Sequence, residues 1–269
     1  MLKIRTFIDK FEKLVPQELA EPGDPVGLQI GDLDTELSKV LVTLDVRPEV
    51  VSEAIDQNCN LIFAHHPVMF HPAHSLDLSV PQNKMYAEII KHNITVYAAH
   101  SNLDAADKGM NDWLAEKIGL QRTERLLDGY VDQKHHQFGM GRIGYLDRPL
   151  SVMDFAALIK HKFELQGLRV VTQNPQKKIS RVAVLGGDGG KYFNQALKKG
   201  AEVYVTGDVY YHTGHDMLAA GLSTVDPGHN IEKICIPKLA SLFRSWKLMT
   251  ENQIQIYESK VDTNPFTFI

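Results

Sequence analysis

Residues 61–67 read Leu61-Ile-Phe-Ala64-His65-His66-Pro67. Four apolar residues end abruptly at two histidines and a proline. A short apolar run closed by a breaker reads as a buried strand, and open α/β sheets place their sites beyond the C-terminal ends of strands. The flanks repeat the pattern. Residues 40–44 (Val-Leu-Val-Thr-Leu) form a second apolar run, Arg47-Pro48 opens a helix through residue 58, and Pro48 takes the first helical position. A helix over 82–93, a strand over 94–98 ending at His100, and an amphipathic helix over 109–118 closed by Gly119 follow. Such alternation predicts parallel βαβ units. Adjacent strand residues point to opposite faces, so the pair His65-His66 is expected to serve two ions, one for each ring.

The chain has 269 residues, enough for one large or two ordinary domains. Hydrophobic content is 43% and charged content 23%, ordinary for a globular protein. The net charge of -4 shows no basic excess pointing to nucleic acid, leaving only a local patch open. Cys59 and Cys235 each sit in an apolar run without a CxxC spacing, which predicts buried reduced thiols. No apolar stretch reaches the roughly 18 residues of a membrane helix, and the N-terminus lacks a signal-peptide core. The expected location is the cytoplasm.

Residues 121–137 are polar and read as a boundary. Beyond them lie a strand over 138–146, a helix opening at Ser151-Val-Met-Asp154 in the manner of a capping box, strands over 168–172 and 179–185, and further alternation. The second part resembles the first. Residues 40–44 and 54–64 align without a gap on 182–186 and 196–206, which sets His66 opposite Asp208. After a shorter connection, residues 96–104 align on 224–232. Each copy ends a strand with a histidine and an acid a few residues on. The expected fold is therefore α/β, with two similar three-layer α/β halves from an apparent duplication and a metal site in the cleft between them. Domain limits are expected at 1–122 with 227–269 for the first half and 123–226 for the second.

Three clusters stand at predicted strand ends: His65 with His66, His100 with Asp104, and His229 with Glu232. Spacings of four and three residues share one face if the chain turns helical there. Imidazole and carboxylate together suit zinc, iron, manganese or nickel hydrolytic centres, and a carboxylate bridging two ions builds a two-metal site. Residues 186–191 (Gly-Gly-Asp-Gly-Gly-Lys) follow a strand and open a helix. That loop reads either as a tight turn or as a substrate wall exposing amides to phosphate. Asp208 and His212 read as groups that orient ligands, with Asp208 reading alternatively as the cap of the next helix. His71, His74, His92, His135, His136, His161 and His215 read as surface residues.

Asp24-Pro-Val-Gly-Leu-Gln-Ile-Gly31, Phe63-Ala-His-His-Pro67, Ala99-His-Ser-Asn-Leu-Asp104, Thr206-Gly-Asp208 and Asp226-Pro-Gly-His-Asn-Ile-Glu232 follow one another in order. Together they resemble the dinuclear-metal-centre family, the GTP cyclohydrolase 1 type 2 homologues or interacting-factor-three-like proteins. The resemblance implies two divalent ions per subunit and a homohexameric ring. It implies the metal ligands His65, His66, Asp104, His229 and Glu232, with Asp104 and Glu232 as bridging groups. His100 matches a histidine that is a ligand or a catalytic proton-transfer group. Many members carry Trp-Asp-Asn before Val-Gly-Leu, where this chain has Gly23-Asp24-Pro25. Longer relatives carry an inserted middle domain that this chain lacks.

Two functions fit this reading. One is a metal-dependent hydrolase resembling GTP cyclohydrolase, in which metal-activated water attacks GTP or a related nucleotide and His100 moves the proton. The other is a metal-responsive regulatory or scaffold protein whose ring binds a protein or DNA partner.

Overall fold

In a computed structural model describing all 269 residues, the run ahead of the histidine pair is a strand buried along its whole length. The chain opens with α1 (Ile4–Glu12), β1 (Gly27–Ile30), β2 (Lys39–Thr43), α2 (Pro48–Asp56), β3 (Leu61–Ala64), α3 (Pro81–Lys91), β4 (Thr95–Ala98) and α4 (Ser101–Ala105). Then come α5 (Met110–Ile118), β5 (Gln121–Arg125), β6 (Arg142–Ser151), α6 (Val152–Lys162), β7 (Arg169–Val171), β8 (Lys178–Val184), α7 (Phe193–Lys198), β9 (Val203–Val205), α8 (Tyr211–Ala219) and β10 (Ser223–Asp226). The chain closes with α9 (Cys235–Arg244), α10 (Lys247–Glu251) and β11 (Gln255–Glu258).

Two units result. Met1–Leu103 with Cys235–Thr263 form the first, and Asp104–Ile234 with Asn264–Ile269 the second. The first sheet has the order β1-β4-β3-β2-β11, parallel except for β1. Its central strands are largely apolar, and β3 wholly so, because both faces are covered. Ile62 packs with Val50 and Val51 of α2 and Ile89 of α3. Phe63 turns the other way into a ring cluster with Phe11 of α1, 4.8 Å between centroids, and Phe243 of α9 at 4.9 Å. The second sheet has the order β5-β6-β8-β9-β10-β7, with β8, β9 and β10 parallel.

The duplication is visible in the register. Val40 pairs with Leu61 and Val42 with Phe63 in the first unit, and Val182 pairs with Val203 and Val184 with Val205 in the second. These are the positions that the ungapped alignment of the two halves sets opposite each other. Local signals are also met. Pro48 heads α2. Gly119 ends α5 in the left-handed region, with φ +90°. Ser151 caps α6 by accepting from the Asp154 amide at 3.0 Å.

The structure departs from the sequence-based expectations at four points. The first break falls after residue 103 rather than 122, because α5 packs on β6, β8 and the turn His229–Ile234 and so travels with the second unit. The second falls after 234 rather than 226, since that turn stays with β10. The polar run after 121 is not only a connection: β5 is the exposed edge strand beside β6, where polar side chains suit an edge. Nor are the sheets wholly parallel, since β1, hidden in the turn-rich stretch before Gly31, runs antiparallel to β4, and β7 runs antiparallel to β10.

Candidate metal centre

In the first unit the tips of β3 and β4 deliver three imidazoles. His65 and His66 follow β3 directly, and His100 lies two residues past β4. Their ligand nitrogens all lie within 4.8 Å of one another, and the rings of His65 and His66 are 4.9 Å apart. The two rings therefore do not part to opposite faces as strand neighbours would. Both amides donate to the end of β2 and the residue after it, His65 N–H to Thr43 O and His66 N–H to Leu44 O, at 3.2 and 2.9 Å. Two consecutive amides donating to one neighbour is not regular strand geometry, so the pleat no longer sorts the two rings.

Each ring is oriented through Nδ1. His65 Nδ1 lies 2.7 Å from the Ala99 carbonyl, His66 Nδ1 2.7 Å from Asp45 Oδ1, and His100 Nδ1 2.8 Å from Asp24 Oδ1. A carbonyl or carboxylate can only accept, so Nδ1 carries the proton and Nε2 keeps its lone pair. Asp24 also accepts from the amide and hydroxyl of Ser101. Burial alone would raise its pKa, but the hydrogen bonds from His100 and Ser101 prevail and hold it below the usual carboxylate range.

The second unit repeats the device. His229 Nδ1 lies 2.7 Å from Asp208 Oδ2, and its Nε2 lies 3.1 Å from Glu232 Oε2, three residues on in the same turn. Burial works against charge on His229, yet the bonds with Asp208 and Glu232 outweigh it and push its pKa up to about 11. Asp208 sits at φ +50°, a left-handed conformation that aspartate tolerates better than most residues.

The glycine loop after β8 makes room for these ligands. A Cβ on Gly186 would stand 2.6 Å from Glu232 Oε1, and one on Gly187 3.1 Å from the same atom and 3.4 Å from His229 Nε2. Asn111 of α5, fully buried, ties this loop to the acid at 104: its Oδ1 accepts from Gly186 N at 3.1 Å and its Nδ2 donates to the Asp104 carbonyl at 3.0 Å.

A profile of the family described as Duf34/NIF3 (NGG1p interacting factor 3) matches residues 2–265. This chain belongs to the Duf34/NIF3 family. A Streptococcus pneumoniae protein named GTP cyclohydrolase 1 type 2 homolog is 43% identical, covering 97% of this chain and 98% of its own length. A Bacillus subtilis relative of the same name, 32% identical, aligns over 368 residues at 97% of both chains, so it carries inserted residues that this chain lacks. A solved Bacillus cereus protein related to NIF3 superposes with a TM-score of 0.93 at 32% identity, covering 100% of this chain and 99% of that one.

The residues of this Duf34/NIF3 chain fit a divalent metal. Imidazoles fixed by an acceptor on the far nitrogen are the usual metal-ligand arrangement, and the glycine cradle leaves room for the Glu232 carboxylate that a side chain at 186 would displace. Of the predicted residues, the structure groups His65, His66 and His100 in the first unit and His229 with Glu232 in the second. Asp104 lies in α4, one turn past His100. Asp208 orients His229 as expected, whereas His212 is exposed on α8 with its ring against Tyr211. The surface reading of the other histidines holds for exposure, although His136 pairs with Asp107 at 2.6 Å. Asp24, Asp45 and Asn111 were not foreseen in these roles. Asp24 answers what the altered loop before Val26 does, since it holds His100.

Removing any one of the orienting carboxylates should weaken metal binding without unfolding the chain. Asp45→Ala and Asp208→Ala are each expected to raise the metal dissociation constant by roughly 10–100-fold. Competition with a chelator checks this, and unchanged affinity in both variants would remove these aspartates from the centre.

Proposed function

We propose that this chain is a metal-dependent hydrolase with a dinuclear centre that acts on GTP or a related nucleotide. The observation that carries the reading is the set of four histidines whose Nδ1 atoms each face a fixed acceptor. The names of the relatives point to the substrate class. In this proposal His65, His66, Asp104, His229 and Glu232 would hold the ions, with Asp104 and Glu232 as ligands to both. Two divalent ions, when bound, would supply a nucleophile at neutral pH and counter charge that develops during hydrolysis.

The chain's own residues supply the rest. His100 is the proton-transfer group: Asp24 fixes its tautomer and stays ionised, so an imidazolium formed on accepting a proton is stabilised. Asp45 and Asp208 hold the His66 and His229 rings against rotation, and the Ala99 carbonyl holds His65. Attack at an amidine-like ring carbon of the purine is the chemistry such a site suits.

An assay of GTP turnover with defined divalent metals tests this reading. Turnover is expected to need metal and to disappear in His65→Ala while circular dichroism reports an intact fold. Turnover that persists undiminished in His65→Ala would overturn the mechanism.

A further inference from the structure

A concavity lies within the second unit, with His215 of α8 among its lining residues. It has a volume of about 330 Å³ and opens between the edge strand β7 and the start of α8. That volume is at the small end of the range for ligand sites, roughly 300–1,000 Å³. Its floor is apolar, with Val171 and Val209 beneath it. Tyr210 and Tyr211 stand on its rim at 68% and 78% exposure, large rings left open to solvent. At one end Arg169 is anchored by Asp226, a carboxylate only 1% exposed, while the Arg169 side chain itself remains 64% exposed.

The wall contains an independent sign. Gly214 lies inside α8 and is buried, although helix interiors disfavour glycine. The packing does not demand it: a Cβ there would meet Val171 and Val209 at 3.6 and 3.9 Å, ordinary contact distances. A glycine that the fold does not need, in the wall of a concavity, leaves space for something to approach the backbone closely.

The pocket is also tied to the candidate metal centre. Asp226, which anchors Arg169, accepts from Val209 N at 3.0 Å and from Gly228 N at 2.9 Å. Those amides flank Asp208 and His229. A ligand charge on Arg169 therefore acts on the loop pair that sets His229.

We propose that this pocket binds a flat heteroaromatic ring carrying an anionic group, a purine nucleotide being the case that rests on the function proposed above. Exposed tyrosine rings stack on such rings regardless of their exact pattern of donors. The Arg169 guanidinium, pre-set by Asp226, offers its remaining donors to phosphate or carboxylate.

Two probes test it on the full chain: radiolabelled GTP by equilibrium dialysis, and pterin-6-carboxylate by its own fluorescence anisotropy. Saturable binding is expected for both. Arg169→Met should weaken it about tenfold or more, as loss of a charged hydrogen bond implies. Gly214→Leu should abolish it by filling the wall, with the melting temperature unchanged or higher. Probe binding that survives both variants would overturn the proposal, as would failure of the wild type to bind either probe. Probe binding that survives both variants, alongside GTP turnover in the wild type, would refute the pocket while leaving the hydrolase reading standing. Binding of pterin-6-carboxylate lost in both variants, with no GTP turnover in the wild type, would uphold the pocket and refute the nucleotide reading. A shift in oligomeric mass in Tyr211→Ser without any change in probe binding would assign the rim to self-association and overturn the proposal.

Discussion

Gly186→Ala is expected to empty the metal centre and to destabilise the second unit together. The added methyl would stand 2.6 Å from Glu232 Oε1, 3.3 Å from Glu232 Cγ and 3.1 Å from a Leu114 methyl. Glu232 is 2% exposed, so its carboxylate has no solvent-side rotamer to escape into. Displacing it breaks the 3.1 Å contact with His229 Nε2 and leaves a buried acid without that support. Overpacking a tight site of this kind costs about 1–3 kcal/mol. The expected readout is a lowered melting temperature with metal content near zero. Gly214→Ala is the matched control, because a methyl there meets only ordinary contacts. A Gly186→Ala protein that melts like the parent and keeps its metal would show that the glycine loop does not shape the centre.

Asp104→Ala is expected to weaken both ions at once. In the proposed assignment its carboxylate bridges them, and removal of a shared ligand is felt at each. The effect should exceed the roughly 10–100-fold expected of an orienting partner. The local backbone is not at risk, because Asn111 holds the carbonyl of residue 104 and not its side chain. Metal titration followed by elemental analysis checks this. Loss of one ion with the other retained at its original affinity would make Asp104 a terminal ligand and remove it from the bridge.

What the chain discloses by itself divides along the range of the interactions. The strand before His65 was legible because a strand covered on both faces must be apolar along its whole length, and the duplication was legible because register follows that pattern. His229 and Glu232 were legible because three residues in one turn bring them together. The orienting shell was harder. Asp45 meets His66 across 21 residues, once β2 lies beside β3, and Asp24 meets His100 across 76, once β1 lies beside β4. Asp45 did carry a sign, an acid just past a strand tip like the histidines it serves. Asn111 carried none, since a polar residue in an amphipathic helix reads as solvent-facing until the loop at Gly186 is folded over it. Strand alternation misplaced the His65 and His66 rings for a local reason, as the pair lies past the last regular residue of β3. Glycines 186 and 187 read in sequence as a tight turn or a substrate wall, whereas in the folded chain they provide clearance for Glu232 and His229.

Whether this chain holds a pair of ions is tested most directly by elemental analysis of the purified protein, stripped with chelator and reconstituted with excess zinc, iron or manganese. About two ions bound per chain are expected, with both lost on denaturation. One ion or none at saturation, with the fold intact, would contradict the dinuclear centre.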